Sequence, residues 1–244
     1  PLYSSAASDV YKRQILNIGA LCNNASLKKN KNGSIKTTGD PLETAVLMAG
    51  FKKGIKRDEL LNNMPEVREV SFDPDTMMMA TFHKKNGDFL VAVKGAPEAV
   101  LGASSYVLTK DEETELSDEQ RKEWMSQNDR MANQGLKVLA FAKKKVKNKE
   151  ASPYQDLIFS GLVGLWDPPR KGIKKSIDQC RNAGIHVIMV TGDHPRTARA
   201  IGLELGLISE NDGEEKVFKS KELKNLDDLS NKERQHLIDA SIFA

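Results

Sequence analysis

Hydrophobic residues change their spacing along the chain, and each spacing predicts a different element. After Pro41 apolar residues recur at helical intervals, and Pro41 itself suits the first turn of a helix. Two apolar runs flank Asn86-Gly87, a dipeptide favoured in two-residue hairpin turns. Ser117 and Gln120 match a capping box, which predicts the start of a further helix. The first half therefore predicts helices together with antiparallel strands.

The methionine run before the hairpin turn predicts the strand that leads into it. Alternation with period 2 places Met77, Met79 and Thr81 on one face, and Met78 and Phe82 on the other. We therefore expect the side chains of Met77 and Met79 to point to the same side of the sheet.

The second half has longer apolar runs, separated by segments with helical spacing. LIFSGLVGLW and IHVIMV are typical of buried strands, one helix is expected to end at Gly184, and another should run from Pro195 to Gly206. Strands and helices that alternate in this way predict a parallel, doubly wound sheet. The chain stops at SIFA, which resembles the start of one more strand, so we expect a polypeptide that is cut at both ends.

The first residues of the chain do not fit either half. The segment PLYSSAASDVYKRQ, residues 1–14, connects poorly to the residues after it. We interpret it as an artefact or a non-native leader and exclude it from the predicted fold.

Composition excludes several classes of protein. The chain has 29% charged and 39% hydrophobic residues and a net charge of +3, which is typical of a soluble globular protein and too weakly basic to indicate a nucleic-acid partner. Its apolar runs are too short to cross a bilayer, and no secretory signal opens the chain. Cys22 and Cys180 stand alone, which favours a reduced, cytosolic setting and no cysteine-based metal site.

The segment MVTGDHPRTA places polar residues between a predicted strand and a predicted helix. Ligands of parallel sheets bind beyond the carboxyl ends of the strands, where helix N-termini present free amides to anions. Thr191, Gly192 and Asp193 therefore suit a phosphate group with its Mg²⁺. The alternative is that Asp193 only caps the helix.

Several other residues are candidates for a functional site, but each one alone is only weak evidence of function. Glu43 lies in the first turn of a helix, where it could serve only the helix dipole. A phenylalanine in a strand usually belongs to the core, and Phe72 could stack on a base only if it is exposed. A single lysine such as Lys137 is normally solvated. Lys94 lies beside Gly95 at a strand end, which suggests contact with something flat and anionic. Asp167 precedes two prolines, a stiff connection that suits either a hinge or an ordinary loop.

The motifs become specific when they are taken together and in order. CNNASL, GDPLETA, FD, KGAPE, GLKVLAFA, DPPR and MVTGDHP resemble the cytosolic part of P-type cation-transporting ATPases, and most closely the type II branch that includes calcium pumps. The likeness extends from about Ile15 to the last residue.

This resemblance implies an α/β fold in two parts. Residues 15–166 would form a nucleotide-binding domain with an antiparallel sheet flanked by helices. Residues 167–244 would form an incomplete phosphorylation domain of the haloacid-dehalogenase type, with a parallel sheet. The residues Asp167 to Arg170 would be the hinge between them.

The resemblance also implies roles for the candidate residues. Phe72 would stack on adenine, Glu43 would lie near its amino group, and Met79 would form an apolar wall. The pocket floor would consist of Lys94, Gly95 and Ala96. Lys137 would approach the phosphates, where the family often has arginine. Thr191, Gly192 and Asp193 would flank the phosphorylation site.

Three departures from the family pattern limit what this polypeptide can do. The DKTGT motif with the phosphorylated aspartate and the GDGxND motif that holds Mg²⁺ are not in the sequence, and Met77 replaces the usual lysine. We expect a soluble ATP-binding fragment, inactive alone, from a pump that transports a cation, with calcium as the expected ion. Its partners would be ATP and the membrane helices and actuator domain of the same pump, at the cytosolic face of a membrane. The alternatives are a haloacid-dehalogenase-type phosphatase and a non-catalytic nucleotide-binding module.

Overall fold

The computed structural model divides the chain into two compact units. The residues that it describes are 8–30, 34–109, 112–166, 169–219 and 230–244. The first unit comprises Pro1–Met125 and Val138–Leu165, and the second comprises Ser126–Lys137 and Trp166–Ala244.

A seven-stranded sheet forms the centre of the first unit. Outside it, β1 (Ser26–Lys29) and β2 (Ile35–Thr38) form an antiparallel pair. In chain order the strands of the large sheet are β3 (Glu66–Asp73), β4 (Met78–Lys85), β5 (Asp88–Gly95), β6 (Ser104–Thr109), β7 (Glu112–Glu115), β8 (Lys137–Val146) and β9 (Leu157–Leu165). Their spatial order is β3-β4-β5-β8-β9-β6-β7. β6 and β9 run parallel, whereas β4 pairs antiparallel with β3 and β5, β5 with β8, and β6 with β7.

Helices flank this sheet and complete its core. They are α1 (Ser8–Leu21), α2 (Pro41–Lys52), α3 (Arg57–Asn63), α4 (Pro97–Gly102) and the first part of α5 (Asp118–Asn133), whose residues from Ser126 onwards belong to the second unit. Ile15, Ile18 and Leu21 of α1 pack with Met79 and Phe141 of the sheet in one buried cluster. The predicted α/β fold, with a largely antiparallel sheet flanked by helices, is confirmed.

The local signals in the sequence correspond to observed elements. Pro41 is the first residue of α2. Asn86 and Gly87 have φ values of 50° and 85° and join β4 to β5, as a two-residue hairpin turn of type I′ requires. Ser117 and Gln120 exchange the two hydrogen bonds of a capping box before α5. These elements depend on short-range chemistry, which is why the sequence predicts them well.

The second unit contains a three-stranded parallel sheet with the spatial order β10-β12-β11. Its elements are α6 (Ile173–Asn182), β10 (Met189–Val190), α7 (Pro195–Leu205), β11 (Val217–Phe218), α8 (Asn231–Asp239) and β12 (Ile242–Phe243). Ala198 of α7 packs with Val217 and Ile242 of the sheet. The parallel arrangement agrees with the prediction for this half.

Two strand predictions need correction. LIFSGLVGLW does not open the parallel sheet of the second half, because β9 lies inside the seven-stranded sheet, parallel to β6. IHVIMV is not a long buried strand: only Met189–Val190 is strand, and the Val190 side chain is 79% exposed. A continuous apolar run predicts burial on both faces, but it cannot specify which sheet or which neighbours provide the cover.

Part of the segment excluded from the predicted fold is helical. Residues 8–14 belong to α1, and Tyr11 packs against the buried cluster that joins this helix to the large sheet. Burial raises the pKa of the Tyr11 hydroxyl to about 12. The sequence does not predict this contribution, because the segment has no regular apolar spacing.

None of the helices in the described parts of the chain combines the length and the apolar character that crossing a bilayer requires.

Candidate functional site

An ion pair between Lys94 and Glu43 lies at the end of β5, within the first unit. Lys94 is the penultimate residue of that strand, and its Nζ contacts Oε1 of Glu43. Glu43 is held in the first turn of α2, where the Asp40 carboxylate accepts hydrogen bonds from the backbone N–H groups of Leu42, at 2.8 Å, and Glu43, at 3.2 Å. The side chains of Lys94 and Glu43 are only 12% and 16% exposed. A charge so poorly hydrated is costly without a partner, so each fixes the other.

The second carboxylate oxygen of Glu43 is also bound. The backbone N–H of Asn24 donates to Oε2 over 3.2 Å. The carboxylate is therefore oriented at both oxygens, and each oxygen keeps a further lone pair with which it can accept a hydrogen bond from a ligand.

Gly95 and Ala96 continue the chain from Lys94. The Ala96 N–H donates to the Met77 carbonyl over 3.0 Å. A Cβ on Gly95 would lie only 2.4 Å from that same carbonyl oxygen, so only glycine fits here without a backbone shift. Glycine at this position is therefore required by the close packing of the strand end against the turn that contains Met77.

Phe72 lies near the end of β3, and the residue is 59% exposed. Register connects this end to the ion pair, because Asp73 is opposite Met78 and Met78 is opposite Gly95. Phe72 and Lys94 are thus at the same end of three neighbouring strands. A phenylalanine exposed to this extent is not packed in the core, so the core alternative for this residue does not apply.

The methionines differ from their predicted arrangement. Met79 is 2% exposed and lies in the core cluster with Phe141, so it is behind the surface rather than on it. Met77 precedes β4, has a φ of 54°, and donates its N–H to the Asp73 carbonyl. The expectation that Met77 shares a face with Met79 is wrong, because alternation with period 2 holds only within a strand and Met77 belongs to the turn before it.

The other candidates lie in the second unit, around the end of β10. The Asp193 N–H donates to Thr191 Oγ1 over 3.1 Å, and the Thr191 N–H donates to the Phe243 carbonyl over 2.9 Å. Nothing lies within 4 Å of a Cβ built on Gly192. The loop is therefore anchored at Thr191 and open at Gly192.

Asp193 forms an ion pair with Lys137. Its Oδ1 lies 3.0 Å from Nζ of that lysine, which opens β8 and belongs to the second unit. The N-cap of α7 is His194, whose side chain accepts from the Arg196 N–H over 3.3 Å. The alternative in which Asp193 only caps this helix therefore does not hold. Asp167 lies outside the described residues.

Cys22, the cysteine near Glu43 and Lys94, is chemically unreactive. Cys22 is fully buried, and its Sγ contacts the Met79 carbonyl at 3.5 Å. Burial raises the pKa of this thiol to about 12, although the positive charge of Lys94 acts in the opposite direction. Nucleophilic chemistry at Cys22 is accordingly excluded near pH 7, and the group around Glu43 and Lys94 is suited to binding.

A groove of about 620 Å³ beside α1 is lined by several lysines, two of which bind groups of the protein itself. Lys143 lies 3.4 Å from Glu113, and Lys144 donates to the carbonyls of Ser152 and Gln155. Lys143 and Lys144 therefore connect the protein's own strands and loops, and the site is assigned to the group around Glu43 and Lys94 instead.

Asn23 and Asn24 have no role that the sequence predicts, yet the structure connects both to Glu43. The Asn23 side chain donates to the Glu43 carbonyl, and the Asn24 N–H donates to the Glu43 carboxylate. The signals in the sequence are the motif CNNASL, which gives neither asparagine a role, and a pair of asparagines shortly after a helix, which usually indicates a turn.

Comparison with known proteins gives a consistent result. Residues 12–172 match the family described as "P-type ATPase, cytoplasmic domain N". The calcium-transporting ATPase of Bacillus subtilis is 33% identical over 238 residues, which are 95% of this chain and 26% of that protein. The calcium-transporting ATPase lmo0841 of Listeria monocytogenes is 32% identical over 205 residues, 82% of this chain and 23% of that protein. The cation-transporting ATPase pma1 of Synechocystis is 38% identical over 200 residues, 80% of this chain and 22% of that protein. The chain spans about a quarter of the length of these relatives.

Proposed function

Because the chain belongs to the P-type ATPase family, with the cytoplasmic domain N matched over residues 12–172, we propose that it is the ATP-binding part of a cation pump. The observation that carries this proposal is the group at the end of β5, where a restrained acid and lysine meet a glycine backbone beside an exposed aromatic ring. In the intact pump, ATP would phosphorylate an aspartate, and the cycle of that phosphoenzyme would move the cation. Calcium is the proposed ion, since the relatives from Bacillus subtilis and Listeria monocytogenes are calcium-transporting ATPases.

We propose that residues 15–166 form the nucleotide-binding domain. Phe72 stacks on the adenine ring, and Glu43 accepts a hydrogen bond from its 6-amino group. Lys94 donates to the ligand from the pocket floor, and Gly95 with Ala96 allows the base to approach the backbone. Met79 supports this floor from the core side, which its 2% exposure favours over direct contact.

Residues 167–244 are proposed to form part of the phosphorylation domain, with Asp167 in its hinge. Thr191, Gly192 and Asp193 support the phosphate site, and Lys137 neutralises phosphate charge. The chemistry of the residues fits Mg²⁺ only in part: the hydroxyl of Thr191 and the carboxylate of Asp193 are suitable oxygen ligands. The described residues hold no cluster of three acidic, histidine or cysteine side chains, so phosphate oxygens would supply most of the remaining ligands.

We further propose that the rest of the same pump, its membrane helices and its actuator domain, is the protein partner, with this part at the cytosolic face of the membrane. Apolar exposure in the second unit supports contact with other parts of that pump. Ile185, Ile188 and Val190 are 55%, 48% and 79% exposed, and all lie in or just before β10. Exposed apolar residues concentrated in a short segment of the chain indicate an interaction surface.

Two other functions fit the observations less well. A phosphatase of the haloacid-dehalogenase type would share the parallel sheet, but it would not account for a separate unit with an exposed phenylalanine and a Lys94–Glu43 pair. A nucleotide-binding module without catalysis would account for that unit, but the matched relatives are transporting ATPases. The pump proposal accounts for both units.

We expect Phe72→Ala to weaken ATP binding by about tenfold or more, because stacking of a base on an aromatic ring contributes roughly 1–3 kcal/mol. Titration calorimetry of the parent chain and the variant with ATP measures this difference. Circular dichroism should show that the variant is folded, since an exposed side chain contributes little to the core.

The matched control is Tyr106→Ala, which removes another exposed aromatic ring from the same sheet, 41% exposed on β6. ATP affinity should be unchanged in this control. Equal affinity of the parent chain and a folded Phe72→Ala variant contradicts the proposed pocket.

We expect this polypeptide alone to release no phosphate from ATP in the presence of Mg²⁺. The sequence contains no DKTGT motif, so bound ATP would have no nucleophilic aspartate to attack its γ-phosphorus. Incubation with γ-labelled ATP, followed by acid quenching, tests for a protein acyl-phosphate. Protein-bound label that hydroxylamine releases contradicts the expectation, and its loss in Asp193→Asn would identify that residue as the nucleophile.

A further inference from the structure

The asparagine corner, defined as Asn23 and Asn24, connects α1 to β1 and contacts the first turn of α2. Asn23 is 1% exposed, and all the hydrogen-bonding groups of its side chain are used. Its Nδ2 donates to the carbonyls of Gly19 at 3.1 Å and Glu43 at 3.0 Å, and its Oδ1 accepts from the Ala25 N–H at 2.8 Å. One buried amide therefore ties the end of α1, the corner and the backbone of Glu43 to one another.

Arg57 of α3 holds the same corner from the other side. Its Nη2 donates to the Asn23 carbonyl at 2.6 Å, and its Nε donates to the Ala20 carbonyl at 3.0 Å. Ala20 lies in the last turn of α1, where carbonyls have no partner within the helix, so the bond from Nε satisfies a buried group of this kind. The corner cannot move without breaking bonds to two helices.

Asn24 transmits this restraint to the Glu43 side chain. Its backbone N–H donates to Glu43 Oε2 at 3.2 Å, while its Nδ2 donates to Glu69 Oε1 at 3.2 Å. Glu69 in turn accepts from Ser71 Oγ at 2.9 Å. Asn24, whose backbone N–H orients the Glu43 carboxylate, is thus hydrogen-bonded to both α2 and β3.

We propose that the asparagine corner positions the Glu43 carboxylate to read the exocyclic amino group of a purine. The corner does not touch the ligand: it acts through the Asn24 N–H on Oε2, while Lys94 occupies Oε1. This inference rests on the proposed function, since it needs adenine in the pocket. A carboxylate fixed at both oxygens loses little freedom when it accepts one more hydrogen bond, so discrimination at this group depends on the corner.

The test compares ATP with purine riboside triphosphate, which is ATP without the 6-amino group, in calorimetric titrations of the 244-residue chain. A hydrogen bond from a neutral donor to a charged acceptor makes the parent chain about tenfold selective for ATP. Asn23→Ala should reduce this ratio to about twofold or less and change the affinity for purine riboside triphosphate by less than twofold. Glu43→Gln gives the selectivity that remains when the carboxylate itself is lost. If Asn23 acts only through Glu43, the double variant Asn23→Ala/Glu43→Gln should be no less selective than Glu43→Gln alone.

The matched control is Asn128→Ala, which removes another buried amide, 4% exposed on α5, a helix that carries none of the groups holding Glu43. Its ATP selectivity should equal that of the parent chain. If Asn23→Ala does not fold, Asn24→Ala decides the question, since that side chain is exposed and anchors the amide to β3.

Failure of the two proposals can be told apart. Unchanged selectivity in folded Asn23→Ala, or in Asn24→Ala where it replaces that variant, overturns the positioning role while ATP binding stands. Equal weakening of both nucleotides also overturns it, because a merely structural residue would act in that way. A parent chain that binds neither nucleotide overturns the proposed function and this inference with it.

Discussion

Gly95→Ala should lower the stability of the first unit by roughly 1–3 kcal/mol, the usual cost of an atom added to a packed site. The new Cβ would lie 2.4 Å from the Met77 carbonyl oxygen and 2.9 Å from Met78 Cγ. Relief would require a backbone shift, and that shift would weaken the bond from the Ala96 N–H to the same carbonyl. Thermal unfolding should show a midpoint about 3–10 °C lower.

Gly102→Ala is the matched control for this substitution. Gly102 ends α4, and nothing lies within 4 Å of a Cβ built on it. Alanine in a helix has less unfolded-state entropy to lose than glycine, so this control should be neutral or more stable by up to about 1 kcal/mol. A midpoint for Gly95→Ala equal to that of the parent chain would show that the β5 end is looser than its contacts indicate.

Gly95 also lies between Lys94 and Ala96 in the proposed pocket. A shifted Met77 carbonyl would displace the strand end on which the base is proposed to rest. We therefore expect ATP affinity to fall in Gly95→Ala even at temperatures where the variant remains folded. If Gly95→Ala loses stability but keeps its ATP affinity, this strand end is not part of the ATP-binding site.

Elements that depend on a few neighbouring residues can be predicted from the sequence. The Asn86-Gly87 turn and the Ser117 capping box need only local chemistry, and both are observed. The contact between Glu43 and Lys94 joins residues 51 positions apart, and no local rule predicts it. Only the order of motifs along the chain suggests that the two act together, and their role in binding stays a prediction.

The errors have a common physical origin. An apolar run carries no mark of the residue at which strand geometry begins, so the pattern places Met77 inside β4 although its φ of 54° belongs to a turn. The apolarity of Val190 predicts burial, whereas its 79% exposure depends on what packs against β10. The role of Asn23 depends on three backbone groups supplied by separate parts of the fold, and the sequence around it names none of them.

His83 should make the protein sensitive to acid. It lies fully buried on β4, and its Nδ1 is 3.2 Å from the Met64 carbonyl, which can only accept, so Nδ1 carries the proton of the neutral ring. Nε2 then accepts from the Thr81 hydroxyl at 2.8 Å. Burial, together with the charge of Arg57, lowers the pKa of His83 from 6.5 to about 4, although the bond to Met64 opposes the shift.

Stability should consequently decrease as the pH falls from 6.5 to 4. In this window the unfolded chain takes up a proton at His83 that the folded chain does not, and below pH 4 both forms are protonated. The full loss is about 3 kcal/mol, since each pKa unit corresponds to roughly 1.4 kcal/mol. Above pH 6.5 the contribution of His83 to the free energy of unfolding is fully present. Urea unfolding of the parent chain at pH 7.5, 6, 5 and 4.5 measures the decline.

A non-titrating variant separates His83 from the carboxylates, which also take up protons in acid. His83→Gln should be less stable than the parent chain at pH 7.5, because it replaces a buried ring and its two hydrogen bonds. The difference in the free energy of unfolding between the two proteins should shrink by about 3 kcal/mol by pH 4, because only the parent chain has to keep a buried histidine neutral in acid. His186→Gln, at an exposed position, is the matched control and should follow the parent chain at every pH. A constant difference between His83→Gln and the parent chain from pH 7.5 to 4 would mean that His83 takes up its proton at the same pH in the folded and unfolded chains, and that burial and the bond from Thr81 to Nε2 do not hold the ring neutral.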